Sequence, residues 1–87
     1  MEIQIDPHTL GRAAERGTDE AQIHEVILTG FSIPAKYGRS GRAKVFDFNK
    51  TRLGKYYKQK RVEVYYTVEG EKAITATVYV FYGAWEG

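Results

Sequence analysis

The stretch of sequence that decides the fold covers residues 61–82 and reads RVEVYYTVEGEKAITATVYVFY. Two runs of alternating β-branched and aromatic residues flank the turn-like segment 68–72, and this pattern predicts a β-hairpin. Because side chains alternate across a strand, each run has an aliphatic side and a polar, partly aromatic side. We expect the core to receive the aliphatic sides, formed by Val62, Val64, Tyr66 and Val68 and by Ile74, Ala76, Val78 and Val80. The other side is predicted to be an open sheet face with Arg61, Glu63, Tyr65, Thr75, Thr77 and Tyr79.

The turn of this hairpin sets the register of its two strands. A two-residue type II′ loop at Gly70 and Glu71 would pair Glu69 with Lys72. Continued without interruption, that register places Thr77 on the same face as Val64. We therefore predict a loop one residue longer or a β-bulge, because burying threonines beside valines costs more than a bulge.

Two helices are predicted ahead of the sheet, after a short first strand over residues 1–5. Asp6 is a good N-cap and Pro7 suits the first helical position, and Gly17 ends this helix. Thr18 is the predicted N-cap of the second helix, which ends at Gly30. The residues expected to face the core are Leu10, Ala13 and Ala14 in the first helix and Ile23, Val26 and Ile27 in the second.

The remainder of the chain reads as sheet. Strands are predicted over residues 31–37 and 43–48, with a turn region over residues 49–54. Residues 55–68 are predicted to form either one long strand or a short strand followed by the first arm of the hairpin. The element order β-α-α-β-β-β-β therefore predicts a single α+β domain over residues 1–87. In this fold class, the two N-terminal helices pack on one face of a mostly antiparallel four- to five-stranded sheet.

Bulk composition excludes several classes of protein. The 87 residues include no cysteine, which excludes a disulfide scaffold and thiol catalysis. No apolar run is long enough for a membrane span, and the N-terminus has no signal-peptide pattern, so we expect a cytoplasmic protein without a membrane partner. No spacing of His, Asp and Glu suggests a metal site, and we expect no cofactor.

Charge is strongly segregated along the chain. Residues 1–35 have a net charge of −4, residues 36–61 a net charge of +9, and residues 62–87 a net charge of −3. The basic middle segment contains ten lysines and arginines against one aspartate, and aromatic residues such as Tyr37 are interleaved with them. RNA binding requires cations along the phosphates and aromatic faces for unstacked bases. The alternative is a solvated surface whose aromatic residues lie partly in the core.

We infer an anionic partner from this segregation, namely RNA or another polyanion. The residues predicted to bind nucleic acid are Arg12, Arg39, Arg42, Lys44, Lys55, Lys58, Lys60 and Tyr65.

Four residues are candidates for catalysis. His8 lies in the first turn of a helix, where the dipole favours a neutral imidazole able to accept a proton. Arg61 could stabilise charge on a pentacovalent phosphate, Glu63 or a tyrosine could move a proton, and Tyr79 could stack on a base. The alternatives are an exposed polar residue for His8 and ordinary cross-strand pairing for the sheet residues.

Several short motifs resemble a known group of small bacterial and phage domains. They are RAAERG at residues 12–17, a helix built on Thr18 with Ile23 and Ile27, Gly30, and ITATVY at residues 74–79. Together they resemble the group called domain of unknown function 4258, whose layout is similar to that of the RelE and BrnT toxins. The resemblance covers residues 8–85 and implies a RelE-like fold with a sheet face that binds and cuts RNA.

The chain departs from this group at two positions. His8 is followed by Thr9 where the group has alanine, and Lys60 and Arg61 stand where several related sheets have a histidine. RelE-like toxins often use basic residues and a tyrosine instead of a histidine base, so this departure is compatible with cleavage. The resemblance implies a toxin–antitoxin setting with a cognate protein partner.

Two functions follow as hypotheses. The first is an RNA-binding, toxin-like domain that acts as a metal-independent endoribonuclease. The alternative is a non-catalytic interaction module, such as a phage-type inhibitor or an antitoxin-like partner, whose basic face binds an acidic protein or nucleic acid.

Overall fold

The hairpin of residues 61–82 lies at the centre of a five-stranded sheet. The computed structural model describes residues 1–85, so residues 86–87 of the predicted domain lie outside the described part. The elements in chain order are β1 (Glu2–Gln4), α1 (Pro7–Arg16), α2 (Glu20–Thr29), β2 (Phe31–Ile33), β3 (Ser40–Arg52), β4 (Lys55–Glu69) and β5 (Lys72–Gly83).

The sheet is mixed, with the strand order β1-β5-β4-β3-β2. β1 runs parallel to β5, and the other three neighbouring pairs are antiparallel. α1 packs on β5, and α2 packs on β3 and β4. The predicted α+β class with two helices on the sheet is therefore confirmed. The buried hydrophobic cluster between the layers consists of Ala13, Ile23, Val26, Ile27, Val62, Val64, Tyr66, Ala73 and Val78.

The β4–β5 hairpin combines a two-residue loop with a β-bulge. Glu69 pairs with Lys72, and Gly70 has a φ of 63° in the loop. The register then shifts, because Tyr65 pairs with Thr77 whereas Tyr66 pairs with Thr75, which leaves Ala76 as the extra residue. The predicted bulge is confirmed, and the longer loop is wrong.

The bulge also changes which side chains near the turn face the core. Between the loop and the bulge, Thr75 is buried beside Tyr66, whereas Ile74 lies on the opposite face with Thr67. The expected placement of Thr75 on the open face, and of Ile74 on the core side, is therefore wrong. Burial of Thr75 is tolerated because its hydroxyl accepts a hydrogen bond from the backbone N–H of Asp6 at 3.0 Å.

Helix termini follow local capping chemistry, with one correction. The carboxylate of Asp6 accepts a hydrogen bond from the His8 N–H at 2.8 Å, and Gly17 ends α1 in the left-handed conformation at φ 90°. The N-cap of α2 is Asp19 instead of the predicted Thr18, since its carboxylate accepts from the Gln22 N–H at 2.9 Å. Thr18 is buried one residue earlier.

The buried stripe of α1 is narrower than expected. Thr9 and Ala13 are fully buried, whereas Leu10 and Ala14 are exposed, so the prediction that the latter two face the core is wrong. The physical reason is that α1 packs on β5, beside the short edge strand β1, so that only one line of helical side chains meets the sheet. Positions four residues apart lie on one face of a helix and fill that line.

The strands before the hairpin differ in length from the prediction. β2 ends at Ile33, one residue before Pro34, and residues 34–39 form a loop. β3 and β4 extend to a tight turn at Leu53 and Gly54, both with positive φ, and a register shift between Asp47 and Lys50 interrupts their pairing. Because β5 pairs with β4 only as far as Gln59, residues 50–57 form a two-stranded arm beyond the sheet.

Neither helix within residues 1–85 combines the length and the apolar character needed to cross a membrane.

Candidate functional site on the open sheet face

Three candidate residues form a connected polar network on the sheet face opposite the helices, which we call the open face. Arg61 Nε donates to Glu63 at 3.0 Å, and the Tyr65 hydroxyl donates to the other carboxylate oxygen at 3.1 Å. Cross-strand pairing sets Tyr79 beside Glu63, and Thr77 beside Tyr65. Alternation along β4 therefore brings together residues that the sequence predicted to share a face.

Aromatic rings surround this network. The rings of Tyr65 and Tyr79 meet edge to face at 6.0 Å, and Tyr79 stacks with Phe81 at 6.4 Å. The Arg61 guanidinium lies 5.2 Å from the ring centroid of Phe31 in β2. Phe31, Tyr79 and Phe81 each retain between 43 and 48% of their exposure, so the open face presents aromatic surface to solvent.

Arg16 reaches the same face from the helix side and was missed as a site residue. Its guanidinium donates to the Val78 carbonyl and lies 5.1 Å from the Tyr79 ring centroid. This contact is made where the edge of β5 is free, since β1 covers only residues 72–74 of that strand. The sequence contained no signal for a contact between Arg16 and a residue 62 positions away.

A cleft opens between the open face and the loop of residues 34–39. Its volume is about 280 Å³, and Tyr65, Thr77 and Tyr79 form the sheet side. The loop side is formed by Pro34, Ala35, Lys36, Tyr37 and Arg39. Two residues predicted to bind nucleic acid, Arg39 and Tyr65, line this cleft. Lys36 and Tyr37 also line it but were not among the predicted site residues.

Tyr65 is held as a neutral phenol that donates to Glu63. Its pKa is raised above the ordinary value, mainly by burial and further by the hydrogen bond to the Glu63 carboxylate. The network Arg61–Glu63–Tyr65 therefore has a cation at one end, a proton donor at the other, and a carboxylate between them.

Part of the basic segment is used on the helix side of the sheet. The carbonyl groups of residues 15–17, at the C-terminal end of α1, accept hydrogen bonds from three sheet side chains. In that order, the donors are Arg52 Nη2 at 2.9 Å, Tyr82 Oη at 2.6 Å and Lys60 Nζ at 2.8 Å. These contacts satisfy carbonyls that have no partner within the helix, and the two cations match the negative end of its dipole.

The C-terminal end of α2 uses two further cations. Arg42 donates to the Gly30 carbonyl at 2.8 Å. Lys44 forms an ion pair with Glu25 at 2.6 Å and donates to the Thr29 hydroxyl at 2.8 Å. Four of the ten basic residues of the segment therefore stabilise helix ends, and one of them, Lys44, also pairs with an acidic residue of the N-terminal third.

The remaining predicted cations lie in separate places. Lys55 is exposed on the arm, and Lys58 is exposed next to the arm. In contrast, Lys60 is only 7% exposed. Arg12 pairs with Glu15 at 3.4 Å on the surface of α1. Lys60 therefore lies against the helices, on the side of the sheet away from the open face.

His8 lies on α1, apart from the network on the open face. It lines a shallow hollow with Pro7, Gly11, Arg12 and Glu15. Within residues 1–85, no hydrogen bond or ion pair joins the side chain of His8 or Arg12 to Arg61, Glu63 or Tyr79. The structure therefore brings together Arg61, Glu63, Tyr65 and Tyr79 and leaves His8 on another surface.

No group of three or more His, Asp or Glu side chains in the described part of the chain is arranged to hold a metal ion. Comparison with known proteins identifies no relative: no family model, no curated protein and no solved structure matches the chain.

Proposed function

We propose that this chain is an RNA-binding domain of the RelE/BrnT kind that cleaves RNA at the open face. The observation that carries the proposal is the Arg61–Glu63–Tyr65 network, which is surrounded by exposed aromatic rings and adjoins a cleft with two cations. Phosphate needs the cations, bases need the aromatic faces, and acid–base chemistry needs the carboxylate and the phenol. Such a combination on one surface supports RNA as the substrate.

The network contains groups for cleavage through the 2′-hydroxyl. Glu63 would accept the proton of the 2′-hydroxyl, and the 2′-oxygen would attack the neighbouring phosphorus. Arg61 would stabilise the additional negative charge on the pentacovalent phosphate. Tyr65 would give its proton to the departing 5′-oxygen and recover one from Glu63 through their 3.1 Å hydrogen bond. The products would be a 2′,3′-cyclic phosphate and a 5′-hydroxyl.

The proposal is tested with purified protein and end-labelled single-stranded RNA in the presence of a chelator, with and without ribosomes. Glu63→Gln keeps the shape of the side chain and removes its basicity, so we expect a loss of cleavage rate of about 10²- to 10⁴-fold. Arg61→Ala is expected to abolish cleavage and to leave the circular dichroism spectrum unchanged. A matched control is Glu2→Gln. Glu2 lies in β1 and pairs with Lys72, and β5 separates β1 from β4, which carries the network.

Two results would contradict the enzymatic part of the proposal. The first is RNA that stays intact with the wild-type protein in both reactions. The second is equal cleavage by the wild type and Glu63→Gln, which would indicate a contaminating nuclease.

The exposed aromatic surface of the open face also favours the second candidate function, a non-catalytic module that binds an acidic protein. Phe31, Tyr79 and Phe81 are each nearly half exposed, and aromatic residues are enriched in protein interfaces. The two candidates separate in a pull-down treated with nuclease. A partner that survives nuclease treatment supports the module, whereas RNA affinity that falls steeply with salt supports nucleic-acid binding.

A further inference from the structure

The cleft between the loop of residues 34–39 and the open face has the features of a site for one flat, uncharged ring beside an anionic group. Tyr37 belongs to its loop side, Tyr65 and Tyr79 to its sheet side, and Lys36 and Arg39 place cations on the loop side. The volume of about 280 Å³ lies just below the range of small-molecule sites, which begins at about 300 Å³. A cleft of this size has room for a single base.

The loop side of the cleft is held in a strained conformation. Tyr37 has a φ of 61°, in the left-handed region that aromatic residues rarely adopt, and it is followed by Gly38 at φ 70°. The Tyr37 ring is 86% exposed, with the Arg39 guanidinium 6.0 Å from its centroid. Backbone strain of this kind is concentrated at ligand clamps, and an exposed aromatic ring is what a stacked base requires.

The cleft is continuous with the proposed catalytic network. Tyr65 lines the cleft and donates to Glu63, which in turn accepts a hydrogen bond from Arg61. A base in the cleft would therefore lie one side chain away from Glu63.

We propose that the cleft binds one unstacked nucleobase of single-stranded RNA, with an adjacent phosphate on Lys36 and Arg39. This inference rests on the proposed RNA-binding function and names the form of RNA that the site accepts. Double-stranded RNA is excluded as a ligand of the cleft because a paired base cannot enter it.

Short RNAs with 2-aminopurine at successive positions test the proposal, because the fluorescence of this base is quenched when it stacks on an aromatic ring. We expect wild-type protein to quench the signal at one position of a single strand and to leave a duplex of the same sequence unchanged. Glu63→Gln protein can be used so that the RNA stays intact during the measurement.

Affinity measurements with matched variants give a second, independent test. Tyr37→Ala is expected to weaken RNA binding by about 5- to 150-fold, which is the range for loss of one base–aromatic stack. Tyr56→Ala is the control, since Tyr56 is an exposed tyrosine on the arm that does not line the cleft. Lys36→Ala should lower the slope of log affinity against log salt by about 0.7, the value for one phosphate contact on a single strand.

The outcomes distinguish this inference from the function on which it rests. RNA binding without quenching at any position, or equal loss from Tyr37→Ala and Tyr56→Ala, overturns the base site and leaves RNA binding intact. A complete absence of RNA binding overturns the proposed function and the base site together.

Discussion

Replacing Lys60 by methionine separates the two roles of the basic segment most sharply. Lys60 and Lys58 lie two residues apart in β4 and carry the same charge, but their surroundings differ. Lys60 is buried and donates to the Gly17 carbonyl at 2.8 Å, whereas Lys58 is exposed. We expect Lys60→Met to lower the stability of the fold without weakening RNA binding, and Lys58→Met to change neither, because its exposed side chain lies on the same side of β4 as Lys60.

The magnitude follows from the contacts of each ammonium group. Lys60→Met loses a hydrogen bond from a charged donor, worth about 1.5–3 kcal/mol, and a favourable interaction with the C-terminal end of α1, worth about 0.3–1 kcal/mol. Relief of the cost of burying the charge offsets part of this loss, and methionine retains the packing of the aliphatic stem. The net expected loss is about 1–2 kcal/mol in the free energy of unfolding. The loss for Lys58→Met should stay within about 0.5 kcal/mol.

Urea denaturation and RNA titration at several salt concentrations measure the two effects. A loss of about 1–2 kcal/mol lowers the melting temperature of a domain of this size by roughly 4–16 °C. Lys36→Met, a change at the cleft, should instead reduce the salt slope by about 0.7 without a comparable loss of stability. An unchanged unfolding free energy for Lys60→Met, or a reduced salt slope for that variant, would refute the division of the basic segment.

Three further predictions concern the conformation of two glycines and the pH dependence of stability. Gly17→Ala should destabilise the fold by more than about 2 kcal/mol, because an added Cβ would clash with the Tyr82 hydroxyl. Gly38→Ala should cost only about 1–2 kcal/mol for its positive φ, since nothing lies within 4 Å of the added atom. Equal losses of unfolding free energy for the two glycine variants in chemical denaturation would contradict this reasoning. Burial raises the pKa of Tyr82, so the stability that it contributes is complete below about pH 10 and is lost as the pH rises through its folded value. Burial lowers the pKa of Lys60, so its contribution has the opposite sign, and stability should rise with pH between its folded and unfolded values. Urea midpoints from pH 8 to 11 should show a shallower alkaline loss for Tyr82→Phe and a weaker rise for Lys60→Met, and unchanged profiles would contradict both assignments.

The candidate site could be predicted from the sequence where it depends on alternation along one strand. Arg61, Glu63 and Tyr65 lie on one face of β4 because successive side chains of a strand point to opposite faces. Arg16 and Lys36 were missed because they reach the site from a helix end and a loop, and no periodicity relates those segments to β4 or β5. The prediction from charge gave every cation of the basic segment the same role. The structure instead divides them between helix ends and solvent-exposed positions.

Local chemistry also explains which elements the sequence determined by itself. The Asp6 cap, the left-handed Gly17, the end of α2 at Gly30 and the two-residue loop at Gly70 all depend on neighbours within about four residues. The bulge at Ala76 could also be inferred, because the apolar pattern and the loop chemistry agree only if one residue is inserted.

Tertiary structure alone decided the contacts that join distant segments. It buried Thr9 instead of Leu10, paired β1 in parallel with β5, and formed the cleft from the 34–39 loop and the open face. It also directed Lys60 to a carbonyl 43 residues earlier in the chain. The sequence of residues 61–82 therefore determined a hairpin with two chemically different faces. Which cations and aromatic rings share the open face depended on how the helices and the loop pack around that hairpin.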